Sequence, residues 1–181
     1  IWADGQHVSW LASMERGDRT GPVRVRRVER DAPPLHERAL LPPVLFDRDA
    51  PRAVAITGYQ ASPGRGALSH FDLETGTSKV LSPNIAAGAF GWLAAGKTFA
   101  LRRPLSATHA EAVVLGPSIA PAIPVTPDVG WDDPAVPAFR ISPARLSVTI
   151  RLAEDDGGRR ALVRWTDGVA GLTPVAPDAA V

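Results

Sequence analysis

Short apolar segments alternate with turn-forming residues along the whole chain, and the segments recur in groups of four. Each group opens with an apolar segment that ends in a large side chain. A small or turn-forming pair follows about four residues later: Asp4-Gly5, Asp49-Ala50, Ala95-Gly96 and Pro143-Ala144. The opening side chains belong to Ile1, Phe46, Phe90 and Phe139, which are 45, 44 and 49 residues apart. Because short runs rich in β-forming residues between turn signals are typical of strands, the pattern predicts four copies of a four-stranded unit.

The remaining predicted strands occupy matching places in the four copies. The second segments are Val8–Leu11, Val54–Ile56, Phe99–Leu101 and Val148–Ile150. The third segments are Val23–Val28, Ala67–Leu73, Ala112–Leu115 and Ala161–Trp165. The fourth segments are Ala39–Leu41, Lys79–Leu81, Ile123–Val125 and Gly171–Thr173. Two third segments run into similar turns, whose glycines Gly76 and Gly168 lie 92 residues apart.

A repeat of about 45 residues with four short strands agrees with a β-propeller blade. Prolines interrupt every window long enough for a helical repeat. The sequence therefore predicts an all-β protein with four repeats of a four-stranded antiparallel sheet, forming a single β-propeller domain or part-domain over 1–181. The blades are expected at about 1–42, 43–85, 86–128 and 129–181. A sandwich of irregular strands remains an alternative, since it also has regularly spaced turn signals.

Two segments resemble a known family of repeats. Ile1–Trp10 is similar to the W-S-P-D-G-x-x-I-A-F motif of TolB-like, WD-repeat-like propellers, and Phe71–Leu81 is similar to the D-L-x-T-G-x-x-x-x-L-T ending of the same blade. Gly91–Phe99 resembles a weaker copy, and Ile141–Pro143 keeps only the S-P part. The resemblance implies a bacterial, extracytoplasmic (periplasmic or secreted) protein whose complete ring has six or more blades.

Four copies are therefore expected to be a portion of a ring. An open four-blade arc would expose two apolar blade faces, which soluble monomers rarely do. We accordingly expect flanking sequence, a partner over those faces, or an unusual four-bladed closure. The chain, which opens with Ile1 rather than methionine, is interpreted as a fragment.

Composition narrows the function classes. The chain has 20 basic and 19 acidic residues, a net charge of +1, no cysteine and no apolar run of membrane-spanning length. We therefore expect no membrane insertion and no nucleic-acid partner. The basic cluster of Arg24, Arg26, Arg27 and Arg30 is interpreted as solvent-facing or covering apolar surface.

The strongest catalytic-looking segment is Ser69-His70-Phe71-Asp72. On a strand, Ser69 and His70 point to opposite faces, whereas His70 and Asp72 share one face about 7 Å apart. A triad needs its nucleophile and base within hydrogen-bond reach, so this segment is interpreted as an ordinary strand entering a turn. No nucleophile-elbow, phosphate-loop or dinucleotide motif is present. No catalytic or cofactor-binding residue and no cofactor is predicted.

Other polar residues give no metal-ligand pattern. The histidines His7, His36, His70 and His109 lack ligand spacing, so no metal site is predicted. Three acidic pairs are interpreted as solvated turns: Asp47/Asp49, Asp132/Asp133 and Asp155/Asp156. Among the tryptophans, we expect Trp10 and Trp165 in the core and Trp131 exposed. Ligands, if bound, are expected at the loops between second and third strands: Met14–Thr20, Tyr59–Arg65, Arg103–His109 and Glu154–Arg159.

The leading functional hypothesis is a non-catalytic, TolB-like propeller scaffold that binds a protein or peptide partner. The alternative is the N-terminal propeller domain of a prolyl-oligopeptidase-like serine peptidase whose catalytic domain lies outside this chain. A downstream G-x-S-x-G motif followed by Asp and His would favour the peptidase. Whether the complete protein is an enzyme stays open at this point.

Overall fold

A computed structural model describes residues 2–3, 9–14, 23–27, 36–38, 40–47, 50–60, 65–94, 96–104, 108–131, 137–142, 144, 146–155 and 159–175. Before Val44 the description is of the backbone. Apart from Ala144, which has a 3-10 conformation, all regular structure in these ranges is β-strand. Every described strand pair is antiparallel. The prediction of an all-β, antiparallel protein is confirmed.

The chain forms two compact units, Ile1–Ala89 and Phe90–Val181. In the first unit, strands that follow one another in the chain are neighbours in the sheets. One sheet contains β1 (Trp2–Ala3), β2 (Ser9–Met14), β3 (Val23–Arg27) and β4 (His36–Arg38). Next come β5 (Leu40–Phe46), β6 (Arg52–Gln60), β7 (Arg65–Asp72) and β8 (Ser78–Ala94). Strand β8 pairs with β7 through its residues 78–86.

The second unit repeats this order of neighbours. It contains the end of β8, from Phe90, followed by β9 (Lys97–Pro104), β10 (His109–Gly116) and β11 (Ile119–Gly130). A four-stranded sheet, here called the terminal sheet, contains β12 (Phe139–Ser142), β13 (Ser147–Arg151), β14 (Leu162–Thr166) and β15 (Thr173–Pro174). Because neighbours in the chain pair directly, each described sheet consists of antiparallel strands in chain order.

One predicted strand is wrong. The sequence places Leu40 and Leu41 in the fourth strand of the first copy, but the strand that pairs with β3 is His36–Arg38. Leu40 and Leu41 lie in β5, opposite Thr57 and Ile56 of β6. Pro42 and Pro43 follow at a register shift between Leu41 and Leu45. Since proline has no N–H to donate, the two prolines fit an interruption of the ladder rather than the end of the strand.

The middle strands of both units are covered on both faces. In β6, Ala53–Ile56 are completely buried, although successive residues point to opposite faces. The same holds for Thr98–Leu101 of β9 and for Ala112–Leu115 of β10, all at most 2% exposed. Continuous burial of this kind requires a second layer on each side of the sheet.

The terminal sheet is covered mainly on one face. Val163 and Trp165 of β14 are buried, whereas Leu162, Arg164 and Thr166 between and beside them are only half-buried. The apolar face packs within the second unit: the rings of Phe139 and Phe99 lie 4.8 Å apart between centroids. Half-burial of the intervening residues leaves the opposite, polar face of this sheet partly open to solvent.

Candidate interaction surface

The Ser69–Asp72 segment of β7 is held by structural hydrogen bonds. The hydroxyls of Ser69 and Thr57 are hydrogen-bonded at 2.8 Å. The Asp72 carboxylate accepts the backbone N–H groups of Glu74 at 3.0 Å and Thr75 at 2.9 Å, closing the turn after β7. The segment is therefore a strand that enters a capped turn, and its serine and aspartate are engaged in holding that geometry.

His70, between these two residues, is buried close to several charged groups. Burial is the main reason that the pKa of His70 lies below its ordinary value, and the Arg52 guanidinium acts in the same direction. The carboxylates of Asp72 and Asp47 and the ammonium of Lys79 act on the same pKa more weakly, the carboxylates raising it and Lys79 lowering it. The backbone N–H of Thr75 is the largest cause of the lowered pKa of Asp72. His70 is consequently uncharged at neutral pH.

Asp47 corrects one prediction. The sequence interpretation placed the pair Asp47/Asp49 in a solvated turn, but Asp47 is 5% exposed. Its carboxylate lies 3.0 Å from the guanidinium of Arg52, and its backbone N–H donates to the Arg52 carbonyl at 2.8 Å. The guanidinium supplies a countercharge for this buried carboxylate where the chain turns back from β5 to β6. Asp49 lies outside the described residues.

The exposure of three other residues can be compared with the sequence prediction. Trp165 is buried, as predicted, whereas Trp131 is half-buried rather than exposed. Asp155 is exposed, as predicted, and accepts the backbone N–H of Arg159 at 2.8 Å. The prediction of ligand-binding loops is untested, because 15–20, 61–64, 105–107 and 156–158 lie outside the described residues, as do Asp132, Asp133, Asp156, His7 and Arg30.

Three turns of the second unit meet at one edge. They are the β8–β9 turn at Gly96, the β12–β13 turn at Leu146 and the β14–β15 turn at Gly168, and all three residues have positive φ. The backbone N–H of Asp167 donates to the Leu146 carbonyl at 2.8 Å. The Asp167 carboxylate is also paired with the Lys97 ammonium at 2.5 Å. These two contacts join the three turns into one surface, here called the turn edge (Gly96–Lys97, Leu146 and Asp167–Val169).

The turn edge exposes two large apolar side chains. Leu146 is 40% exposed and Val169 is 56% exposed. Leu146 adopts φ +49°, a left-handed conformation that costs a residue with a Cβ atom roughly 1–2 kcal/mol. Glycine would relieve that cost, and burial does not explain a leucine in this place. An exposed apolar residue kept in a strained turn is a feature that points to a contact surface.

Sequence reasoning missed this edge. The sequence predicts the turn of the fourth copy at Pro143–Ala144, whereas the residue with positive φ in the described part of this connection is Leu146. The available signal was weak: Leu146 interrupts a polar stretch between Arg145 and Ser147. A leucine in this place could equally be the first residue of a strand. Only the backbone geometry shows that Leu146 is an exposed turn residue.

The comparisons with known proteins leave the family open. No protein-family model matches the chain, and no curated protein matches it either. Within the described ranges, no helix is both long enough and apolar enough to cross a membrane. Nor do three or more His, Asp or Glu side chains converge on a metal-binding arrangement in that part of the chain.

Proposed function

We propose that this chain is a portion of a TolB-like β-propeller that acts as a non-catalytic scaffold and binds a partner protein at the turn edge. Two observations support the fold part of the proposal. Strands pair with their chain neighbours in both units, and β1–β4 and β12–β15 each make a four-stranded antiparallel sheet. The sequence motifs at Ile1–Trp10 and Phe71–Leu81 resemble propeller blades of this type.

The observation that carries the binding part is the exposure of Leu146 and Val169 on adjoining turns. The turns are held together by backbone and ion-pair contacts through Asp167, so the two side chains stand on a rigid base. A preformed apolar surface loses little conformational entropy when a partner covers it. In the same chain, Ser69 and Asp72 have structural partners, which supports a scaffold over chemistry in this segment.

Site-specific photo-crosslinking tests the proposal. p-Benzoyl-phenylalanine is placed at position 169 of the full-length protein in its source cells, and at position 80 as a matched control. Val80 is an equally exposed valine, 57%, and it lies on β8 in the first unit. One discrete adduct at position 169, missing at position 80, is the expected result. No adduct at position 169, or the same adducts at both positions, would contradict the proposal.

The peptidase alternative makes a different prediction for the same full-length protein. A fluorophosphonate probe labels the activated serine of a serine hydrolase. We expect no labelling. Labelling of a serine outside this chain would contradict the scaffold function. It would support the alternative, in which this chain is the propeller domain of a prolyl-oligopeptidase-like enzyme.

A further inference from the structure

Strand β11 is an edge strand of the second unit, and it is longer than the two edge strands of the terminal sheet. It pairs with β10, and within the described ranges no strand pairs with the other side of its residues 119–127. β11 contains 12 residues, whereas β12 contains four and β15 contains two. An edge strand presents unpaired backbone N–H and C=O groups to which another strand can pair, and a longer strand is a longer template.

Apart from its prolines, the sequence of β11 favours such pairing. Five of its residues are β-branched, and β-branched residues favour strands: Ile119, Ile123, Val125, Thr126 and Val129. Ile123 is 40% exposed. The sequence of β11 has one charged residue, Asp128, close to its C-terminal end. The lysines that protect many sheet edges from pairing are thus missing from the sequence of β11.

Three exposed prolines interrupt this strand: Pro121, Pro124 and Pro127. The ladder between β10 and β11 has three register shifts, which involve residues 119–123, 124–126 and 126–129 of β11. Each of these segments contains one of the prolines. A proline has no N–H to donate to a further strand, and an irregular ladder twists an edge away from flat pairing.

Beyond Pro127, the backbone of β11 already has partners. The N–H of Asp128 donates to the Thr126 hydroxyl at 3.2 Å, and the Asp128 carbonyl accepts the N–H of Ala153 at 2.8 Å. Val129 forms a bridge with Leu152. The part of the edge that a further strand could reach is therefore the part that contains the prolines.

We propose that Pro121, Pro124 and Pro127 close the outer edge of β11 to a second copy of this chain. Without the prolines, β11 would pair with the same strand of another copy, because a long strand of low charge and high β-propensity is a template for its own sequence. This inference goes beyond the scaffold function and does not depend on a partner at the turn edge.

The spacing of three residues between the prolines also matches the period of a polyproline II helix, which aromatic-lined grooves of other domains recognise. Docking in such a groove takes a segment in the polyproline II conformation. β11 is instead paired as a strand with β10, and its Thr126 and Val129 are buried. Closure of the edge therefore fits these prolines better than recognition by a proline-binding domain.

Size-exclusion chromatography with multi-angle light scattering tests the proposal on the full-length protein. The variant Pro121→Thr/Pro124→Thr/Pro127→Thr restores three N–H groups, and threonine favours strands without adding a large apolar surface. We expect its mass to be at least double that of the unchanged protein and to rise with protein concentration. Pro51→Thr/Pro137→Thr is the control, because both prolines lie outside the described strands, and we expect it to keep the mass of the unchanged protein.

Adding Ile123→Lys to the triple variant separates edge pairing from loss of fold. A lysine at this exposed position of an edge strand opposes pairing, so we expect the mass of the unchanged protein to return. The far-UV circular dichroism spectrum should be that of the unchanged protein in both variants.

Four results would overturn the inference. The triple variant could keep the mass of the unchanged protein at every concentration, or it could lose the circular dichroism spectrum of the folded chain. Ile123→Lys could leave the added mass in place. The control variant could associate to the same extent as the triple variant.

Discussion

Strands β9 and β13 contain the second apolar segments of two neighbouring copies of the sequence pattern, but the two strands are buried to different extents. The central residue of β9 is Ala100, completely buried between buried Phe99 and Leu101. Its counterpart in β13 is Thr149, half-buried between buried Val148 and Ile150. In β6 the same place is taken by Ala55, again completely buried. Alanine occupies the central position of β6 and β9, where the sheet is covered on both faces. Threonine occupies it in β13, where one face of the sheet is partly exposed to solvent.

The comparison shows which strand faces are closely packed and which stay partly open to solvent. A face that packs against another layer is fixed by the fold, since any added atom must displace close-packed neighbours. A partly open face is free of that constraint and can present Arg140, Thr149 and Arg164 in one row.

The largest expected effect comes from placing a carboxylate at the two matching positions. Ala100→Asp buries an unpaired charge between two layers, and we expect a loss of about 3–5 kcal/mol in the free energy of unfolding. Thr149→Asp places the same group between Arg140 and Arg164, and we expect a change within about 1 kcal/mol. Urea unfolding followed by circular dichroism measures both. Equal losses would show that β13 is covered like β9.

A smaller effect concerns His70, a titratable residue that is buried in strand β7. Because the pKa of His70 is lower in the folded chain than its ordinary 6.5, the unfolded chain binds the proton more readily. The stabilising contribution is full above pH 6.5 and declines as the pH falls toward the folded pKa.

The urea midpoint of the unchanged protein should therefore fall between pH 7.5 and pH 5 more than that of His70→Gln. Arg140→Gln, a substitution at an exposed position of the terminal sheet, is the control, and we expect it to keep the full pH dependence. An identical decline in the unchanged protein and in His70→Gln would show that His70 is not the group responsible.

Many of the strands could be predicted from the sequence, because short apolar segments of β-forming residues between turn signals usually form strands. Phe99–Leu101 and Val148–Ile150 are strand segments as predicted, and the Asp72–Gly76 turn is capped as its composition suggests. Leu40 and Leu41 were assigned to the wrong strand, since a run of apolar residues does not tell which neighbour it will pair with.

The side-chain neighbours on the polar face of the terminal sheet could not be predicted from the sequence in the same way. Arg140 and Arg164 are 24 residues apart in the chain, and they share a row only through the register of β12, β13 and β14. The alternation in Leu162–Thr166 was a usable signal of one-sided burial, because strands covered on both faces read as continuous apolar runs. What covers a face depends on tertiary packing, which the repeat pattern leaves open.

Thiol reactivity tests the difference between β9 and β13 most directly, because the chain has no cysteine of its own. Thr149→Cys and Ala100→Cys are each treated with a water-soluble disulfide reagent under native conditions, and the rate of thiolate release is followed. A buried thiol reacts only after local opening, so we expect Thr149→Cys to react at least about 100-fold faster. Equal, strong protection of both thiols would contradict the claim that the terminal sheet keeps an open face.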